Sequence, residues 1–138
     1  MIIKQISIFM ENTTGRLADV TALLAHAGIN LRAISIADTT DFGILRMVAD
    51  QPEAAVEVLK SSGFTARETD VIAVEVPDQP GALATIMALF RDEGVNIEYL
   101  YASLEHSADK AVIVLKVDDV AAGLAMLQKN GYSTVPSF

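Results

Sequence analysis

Met10-Glu11-Asn12-Thr13-Thr14-Gly15-Arg16-Leu17 and Val76-Pro77-Asp78-Gln79-Pro80-Gly81-Ala82-Leu83 are the two stretches on which the reading of this chain turns. Each follows a run of apolar residues with strand character and leads into residues at helical spacing. Gly15 and Gly81 stand where the chain must turn from strand to helix, and a missing Cβ permits that sharp change. Just beyond, the first amides of a helix have no intrahelical acceptor and sit at the positive end of its dipole. Such a terminus can hold a small anion, for example a carboxylate.

Working outward from the first stretch, residues 2–10 are β-rich, with Ile6, Ile8 and Met10 alternating against Gln5, Ser7 and Phe9. Leu17, Val20, Leu24 and Ala27 then recur at helical spacing until Gly28. Residues 30–37 and 43–49 read as strands joined by the turn Asp38-Thr39-Thr40-Asp41. Asp50-Gln51-Pro52 offers a cap with Pro early in a helix; Val56 and Leu59 face inward and Gly63 ends it. A short strand follows from Phe64 to Thr69. The order then repeats: a strand over 71–76, a helix over 82–93 closed by Gly94, strands over 96–104 and 111–117 joined by the longer turn Glu105 to Asp109, a helix over 119–130 ended by Gly131, and a last strand from Tyr132 to Val135.

The repeat holds position by position. Gly15 and Gly81 align Leu17 with Leu83, Ala22 with Ala88, Gly28 with Gly94 and Asn30 with Asn96. After the hairpin, Gly63 aligns with Gly131, which makes the second hairpin two residues longer. A strand-helix-strand-strand-helix-strand order, duplicated, is an α+β class with two ferredoxin-like βαββαβ units, 1–69 and 70–138, each an antiparallel sheet with helices on one face. Glu68-Thr69-Asp70 contains no Pro or Gly, which predicts a rigid junction. Ala111 to Val117 is apolar on both faces, and covering the second face predicts a second copy of the chain, a homodimer.

Composition narrows the function. The 138 residues are 51% hydrophobic and 20% charged, a globular balance. A formal net charge of −8 and the lack of a basic run oppose nucleic-acid binding. The absence of Cys excludes disulfides, thiolate metal sites and Cys nucleophiles. The amino terminus lacks the pattern of a signal peptide and no apolar run approaches a membrane span, so a cytoplasmic protein with no membrane partner is expected.

The strand, the Asp-x-Pro-Gly-x-Leu turn, the helix ending in Gly and the following Gly-Val-Asn-Ile resemble an ACT domain, the small regulatory module of amino-acid metabolism. The second unit carries Asp78, Pro80, Gly81, Leu83 and Gly94-Val95-Asn96-Ile97. The first departs with Asn12 and Thr14 but keeps Gly15, Leu17 and Gly28-Ile29-Asn30-Leu31. The resemblance spans residues 2–69 and 70–136 and implies a standalone tandem ACT protein without a catalytic domain. It implies a free amino acid as ligand, held where two ACT units meet, with occupancy passed to the assembly or to an enzyme of amino-acid metabolism.

The chemistry of the residues fits a zwitterion. Amides of Gly15, Arg16 and Leu17, or of Gly81, Ala82 and Leu83, can receive a carboxylate. The Asn12 side chain or the Asp78 carboxylate can receive an ammonium, and Asn30 and Asn96 carry both a donor and an acceptor. Thr13 and Thr14 make the first turn the more polar, against Gln79 and Pro80 in the second, where Pro removes an amide.

Each residue also has a structural reading. Asn12, Thr14 and Asp78 suit helix caps, Asn30 and Asn96 suit left-handed turns, and Arg16 suits a surface ion pair. Glu105, His106 and Asp109 resemble a metal cluster only by residue type, and His26 reads as solvated. Tyr99 and Tyr101 share a strand face and read first as packing residues. No catalytic residue, metal ligand or cofactor is assigned. An acylphosphatase-like hydrolase is the alternative, for which Arg16 is the sole candidate phosphate ligand in the first turn. Single-stranded RNA binding through Phe9, Tyr99 and Tyr101 is opposed by the acidic balance.

Overall fold

The structure, a computed structural model, describes residues 2–107 and 109–135, and of residues 105–107 the backbone only. The chain divides into two compact units, one of Lys4–Thr69 and one of Asp70–Phe138 with Met1–Ile3. In the first lie β1 (Ile2–Glu11) from Lys4 onward, α1 (Arg16–His26), β2 (Leu31–Asp38), β3 (Phe42–Ala49), α2 (Pro52–Ser61) and the beginning of β4 (Thr65–Pro77). In the second lie the remainder of β4, α3 (Ala82–Glu93), β5 (Ile97–Ser107), β6 (Lys110–Val117) and α4 (Val120–Lys129). The pattern is therefore the duplicated α+β one, with antiparallel sheets and four helices among the described residues.

Within the first unit β3 lies between β1 and β2, antiparallel to both. Within the second β6 lies between β4 and β5 in the same way. Strand alternation puts Ile6, Ile8 and Met10 with Leu45 and Met47 on one face, where Val20 and Leu24 of α1 and Leu59 of α2 close over them. The second core repeats the arrangement with Ile72, Val74, Val76, Ile113, Leu115 and Val117 against Ile86, Phe90, Met126 and Leu127. Gly123 of α4 lies so near the sheet that a Cβ there would come within 3.1 Å of Ile72 Cδ1.

Several expectations are corrected. The two strands foreseen over 64–69 and 71–76 are one strand, β4, running through Asp70. The last strand shrinks to one bridge, Thr134 to Val74, flanked by bonds from the Glu75 amide to the Ser133 carbonyl and from the Val135 amide to the Ala73 carbonyl. The two extra residues of the second hairpin do not lengthen its turn. β5 continues to Ser107, and between the pairs Ala102–Ile113 and His106–Ala111 it advances four residues while β6 advances two. Ala108 and the side chains of Glu105 and His106, which entered the metal reading, lie outside the described residues. Val114, Val71 and Ala73, on the sheet face away from the helices, are fully buried.

Asp50 does not cap α2, whose N-cap is Gln51 with no side-chain bond. Its carboxylate instead accepts from the Asn30 amide at 3.0 Å, while its own amide donates to the Asn30 carbonyl at 3.1 Å. The second unit repeats the reciprocal pair: the Asp118 carboxylate accepts from the Asn96 amide at 2.9 Å, and the Asp118 amide donates to the Asn96 carbonyl. These clamps set where β2 and β5 begin. Asp50→Ala and Asp118→Ala are each expected to cost about 1 kcal/mol in urea unfolding. Hydrogen exchange should accelerate at the Asn30 amide in the first variant and at the Asn96 amide in the second; unchanged exchange would show the clamp is not maintained in solution.

Candidate functional site

Helices α1 and α3 begin in the same unusual way. Their N-caps are Gly15 (φ 91°, ψ −14°) and Gly81 (φ 87°, ψ −12°), both left-handed, and no side chain caps either helix. Asn12, Thr14 and Asp78 are therefore not the caps that their composition suggests. A left-handed residue lets the strand arrive from one side and the helix leave on another. The Arg16 amide closes a turn onto the Thr13 carbonyl at 3.4 Å, and the Ala82 amide onto the Gln79 carbonyl at 3.2 Å. The amides of Gly15, Leu17 and Ala18, and of Gly81, Leu83 and Ala84, meet no acceptor among the described residues. Of the donors expected from sequence, Arg16 and Ala82 are thus partly spent on the turn. Ala18 and Ala84 were missed, although counting three residues past the N-cap would have found them.

Each turn is tied to the hairpin of its own unit. The Asn12 amide donates to the Asp41 carbonyl at 2.8 Å, and its side-chain nitrogen to the Thr39 carbonyl at 3.1 Å. In the second unit the Asp78 amide donates to the Asp109 carbonyl at 2.9 Å. The Asn12 side-chain oxygen is left as an acceptor, and the Asp78 carboxylate, exposed, pairs with no cation among the described residues. Thr13, Thr14, Gln79 and Pro80 are exposed on the same turns. Leu17 and Leu83, read from spacing as core positions, are both 41% exposed, so each turn carries an apolar side chain beside its open amides.

Asn30 and Asn96 are held by the Asp50 and Asp118 clamps, and no hydrogen bond joins them to the turns among the described residues. Nor are they left-handed; Gly28 and Gly94 before them take that conformation. Tyr101 is buried and Tyr99 half-buried, in accord with a packing role.

Arg16 is heavily engaged. Its Nε lies 2.9 Å from Glu11 Oε2, an Nη lies 3.2 Å from Asp19 Oδ2, and the guanidinium stacks 4.5 Å over the Phe64 ring. This is the ion-paired role read from sequence, and the guanidinium does not stand open as a phosphate cradle. The Glu11 carboxyl is held below its ordinary value by its own backbone amide first and by Arg16 second. Counting by the repeat, Ala82, Pro77, Thr85 and Tyr132 stand where the first unit has Arg16, Glu11, Asp19 and Phe64. The second turn has no such brace.

A family model for an ACT domain pair matches residues 1–135. The chain belongs to the ACT domain family. Its two ACT units carry the Gly15 and Gly81 turns at equivalent places. Protein BT0572 from Bacteroides thetaiotaomicron is similar at 38% identity and a TM-score of 0.92, over 98% of this chain and 92% of that one. The regulatory subunit of aspartate kinase from Thermus thermophilus, in its ligand-free form, shares the fold at 19% identity and a TM-score of 0.70, over 93% and 92% of the two chains. The corresponding subunit from Thermus flavus does so at 20% identity and 0.65, over 94% of each. No curated protein matches this chain. Among the described residues no helix of this ACT pair is long and apolar enough to cross a membrane.

The brace yields a direct test. Because the folded-state pKa of Glu11 is depressed, its contribution to stability is present above the ordinary carboxylate value and is lost as pH falls through the folded value. Arg16→Gln should raise the Glu11 pKa in an NMR titration without restoring it fully, since the larger cause is the backbone amide. No movement of that pKa would mean the ion pair does not form.

Proposed function

We propose that this ACT pair is a non-catalytic sensor of a free amino acid, held where one ACT unit adjoins another. The observation that carries the reading is the set of unclaimed amides behind the left-handed Gly15 and Gly81, at the positive ends of α1 and α3. The ligand carboxylate goes to the amides of Gly15, Leu17 and Ala18, or to those of Gly81, Leu83 and Ala84. Its ammonium goes to the Asn12 side-chain oxygen or the Asp78 carboxylate, and Leu17 or Leu83 contacts its aliphatic part. Thr13, Thr14 and Gln79 stand on the same turns, whereas Asn30 and Asn96, clamped beyond the opposite ends of α1 and α3, would reach a ligand only from a neighbouring ACT unit.

Occupancy acts by favouring whichever arrangement of neighbouring units completes the pocket, and only to the extent of the ligand's differential affinity. The response passes to a homodimeric assembly or to a cytoplasmic enzyme of amino-acid metabolism. The fold likeness to aspartate kinase regulatory subunits supports such a regulatory role. The engagement of Arg16 by Glu11, Asp19 and Phe64 weighs against the hydrolase alternative.

Thermal unfolding in the presence of each of the twenty amino acids tests the proposal, because a ligand of the folded form raises the melting temperature. At least one is expected to raise it in the millimolar range. Asn12→Ala should abolish that shift if the first turn binds, and Asp78→Ala if the second does; Asp78 is exposed, so its loss should hardly change the unliganded melting temperature, whereas Asn12→Ala also removes the bond to the Thr39 carbonyl and should lower it modestly. A flat response to all twenty would overturn the proposal.

A further inference from the structure

The first unit's sheet carries, on its face away from the helices, a cavity of about 220 Å³ between Ser7 and Phe9 of β1, Ile44 of β3, and Thr65 and Arg67 of β4. Strand alternation brings these side chains together. Ser7 pairs with Arg46 and Phe9 with Ile44 across the ladder, whereas Ile6, Ile8, Leu45 and Ala66 point into the helix-covered core. Phe9 is 50% exposed and stacks on Phe42 with ring centroids 4.9 Å apart, so its ring makes a supported apolar wall.

The polar side of the cavity is made of donors. Arg67, exposed, enters no ion pair and no hydrogen bond among the described residues. The Ser7 hydroxyl accepts from Gln5 Nε2 at 3.0 Å, which leaves its own proton to donate. The Thr65 hydroxyl meets no partner among the described residues. On this face of β1, β3 and the first part of β4, the charged positions are Arg46, Arg67 and Glu11. Glu11 stands at the end of its strand and is held by Arg16 at 2.9 Å. Asp38, paired with Gly43, falls on the helix-covered side with Leu45. In a chain of net charge −8, this face is cationic.

The second unit shows that folding does not require this chemistry. By the repeat, Ala73, Glu75 and Val135 stand where the first unit has Ser7, Phe9 and Arg67, and only Thr65 keeps a hydroxyl, as Ser133. Glu75 pairs with Lys110 at 3.5 Å, an arrangement suited to solvent. The unspent guanidinium beside an exposed aromatic ring therefore belongs to the first unit and not to the fold. Its charge and size select the occupant. A guanidinium takes a carboxylate through two parallel N–H bonds. No carboxylate lines the cavity, so an ammonium would find no counter-charge there and would face Arg67. The volume is below the roughly 300 Å³ at which drug-sized pockets begin, so the ligand is small. We propose that this cavity binds a small carboxylic acid with an apolar body and no amino group. Its carboxylate lies on Arg67 and the Ser7 and Thr65 hydroxyls, and its body against Phe9 and Ile44. The site shares no residue with the glycine turns and does not rest on them.

Three probes separate the contributions: isovalerate, its neutral counterpart isovaleramide, and valine, which is isovalerate with an α-amino group. In amide-resolved NMR titrations of the full chain, isovalerate should move the Phe9, Ile44 and Arg67 resonances and saturate in the millimolar range. Isovaleramide and valine should bind there at least roughly tenfold more weakly. Arg67→Gln should weaken isovalerate by roughly tenfold or more, with the melting temperature retained because Arg67 is exposed. Phe9→Glu, which imports the residue of the second unit, should abolish binding; should that protein fail to fold, Arg67→Gln decides alone. Equal binding of isovalerate and isovaleramide, equal binding of valine at these residues, or no movement at tens of millimolar would overturn the proposal. So would full affinity in folded Arg67→Gln, or isovalerate moving only the amides behind Gly15 and Gly81, since the helix termini would then be the acid's site.

Discussion

A backbone φ near +90° at the last residue before a helix is the constraint on which each half of this protein depends. At Gly15 and Gly81 it reverses the chain between a core strand and the helix that covers it. A residue with a Cβ would be strained there by about 1 kcal/mol or more, although a Cβ would meet nothing within 4 Å; the penalty is intrinsic to the backbone. The same torsion leaves the helix with no side-chain cap, so amides that a Ser or Asp would ordinarily satisfy stay open. One requirement of folding thereby leaves donors at the surface of each ACT unit.

Duplication turns the chain into its own control. What recurs at the same place in both copies belongs to the fold: the left-handed glycines, the reciprocal Asn–Asp clamps, and the bond from each turn to the tip of its hairpin. What differs is open to separate use. The Arg16 brace has no counterpart at Ala82, and the Phe9–Phe42 stack is replaced by Glu75 and Lys110. The first unit concentrates polar turn chemistry and exposed aromatics, whereas the second keeps simpler surfaces on the same frame.

Much of the frame was legible because its signals are local. Gly28, Gly63, Gly94 and Gly131 were read as helix stops, and all four have positive φ. Alternation along β1 and helical spacing in α1 and α3 identified most of each core. Errors arose where a residue's partner is distant in the chain. Asp50 sits where a cap for α2 belongs, but a carboxylate accepts from whichever amide the fold brings near, and here that is Asn30, 20 residues away. The inserted pair of residues was placed in a turn because turns tolerate insertion, yet β5 absorbs it as a ladder irregularity. Leu17 and Leu83 keep the helical period, but they lie in the first turn, beyond the cover of the sheet.

From the sequence alone came the duplication, the element order, the ACT resemblance and the two glycine turns, because glycine torsion, hydrophobic period and repeat spacing act over a few residues. Tertiary structure alone decided which amides of those turns remain unclaimed, that Arg16 spends its charge on Glu11 and Asp19 over the Phe64 ring, and that Val114 is buried while Phe9 is not. Hydrogen bonds, ion pairs and burial are set by distances between residues far apart in the chain, and a linear pattern does not contain those distances until the backbone has folded.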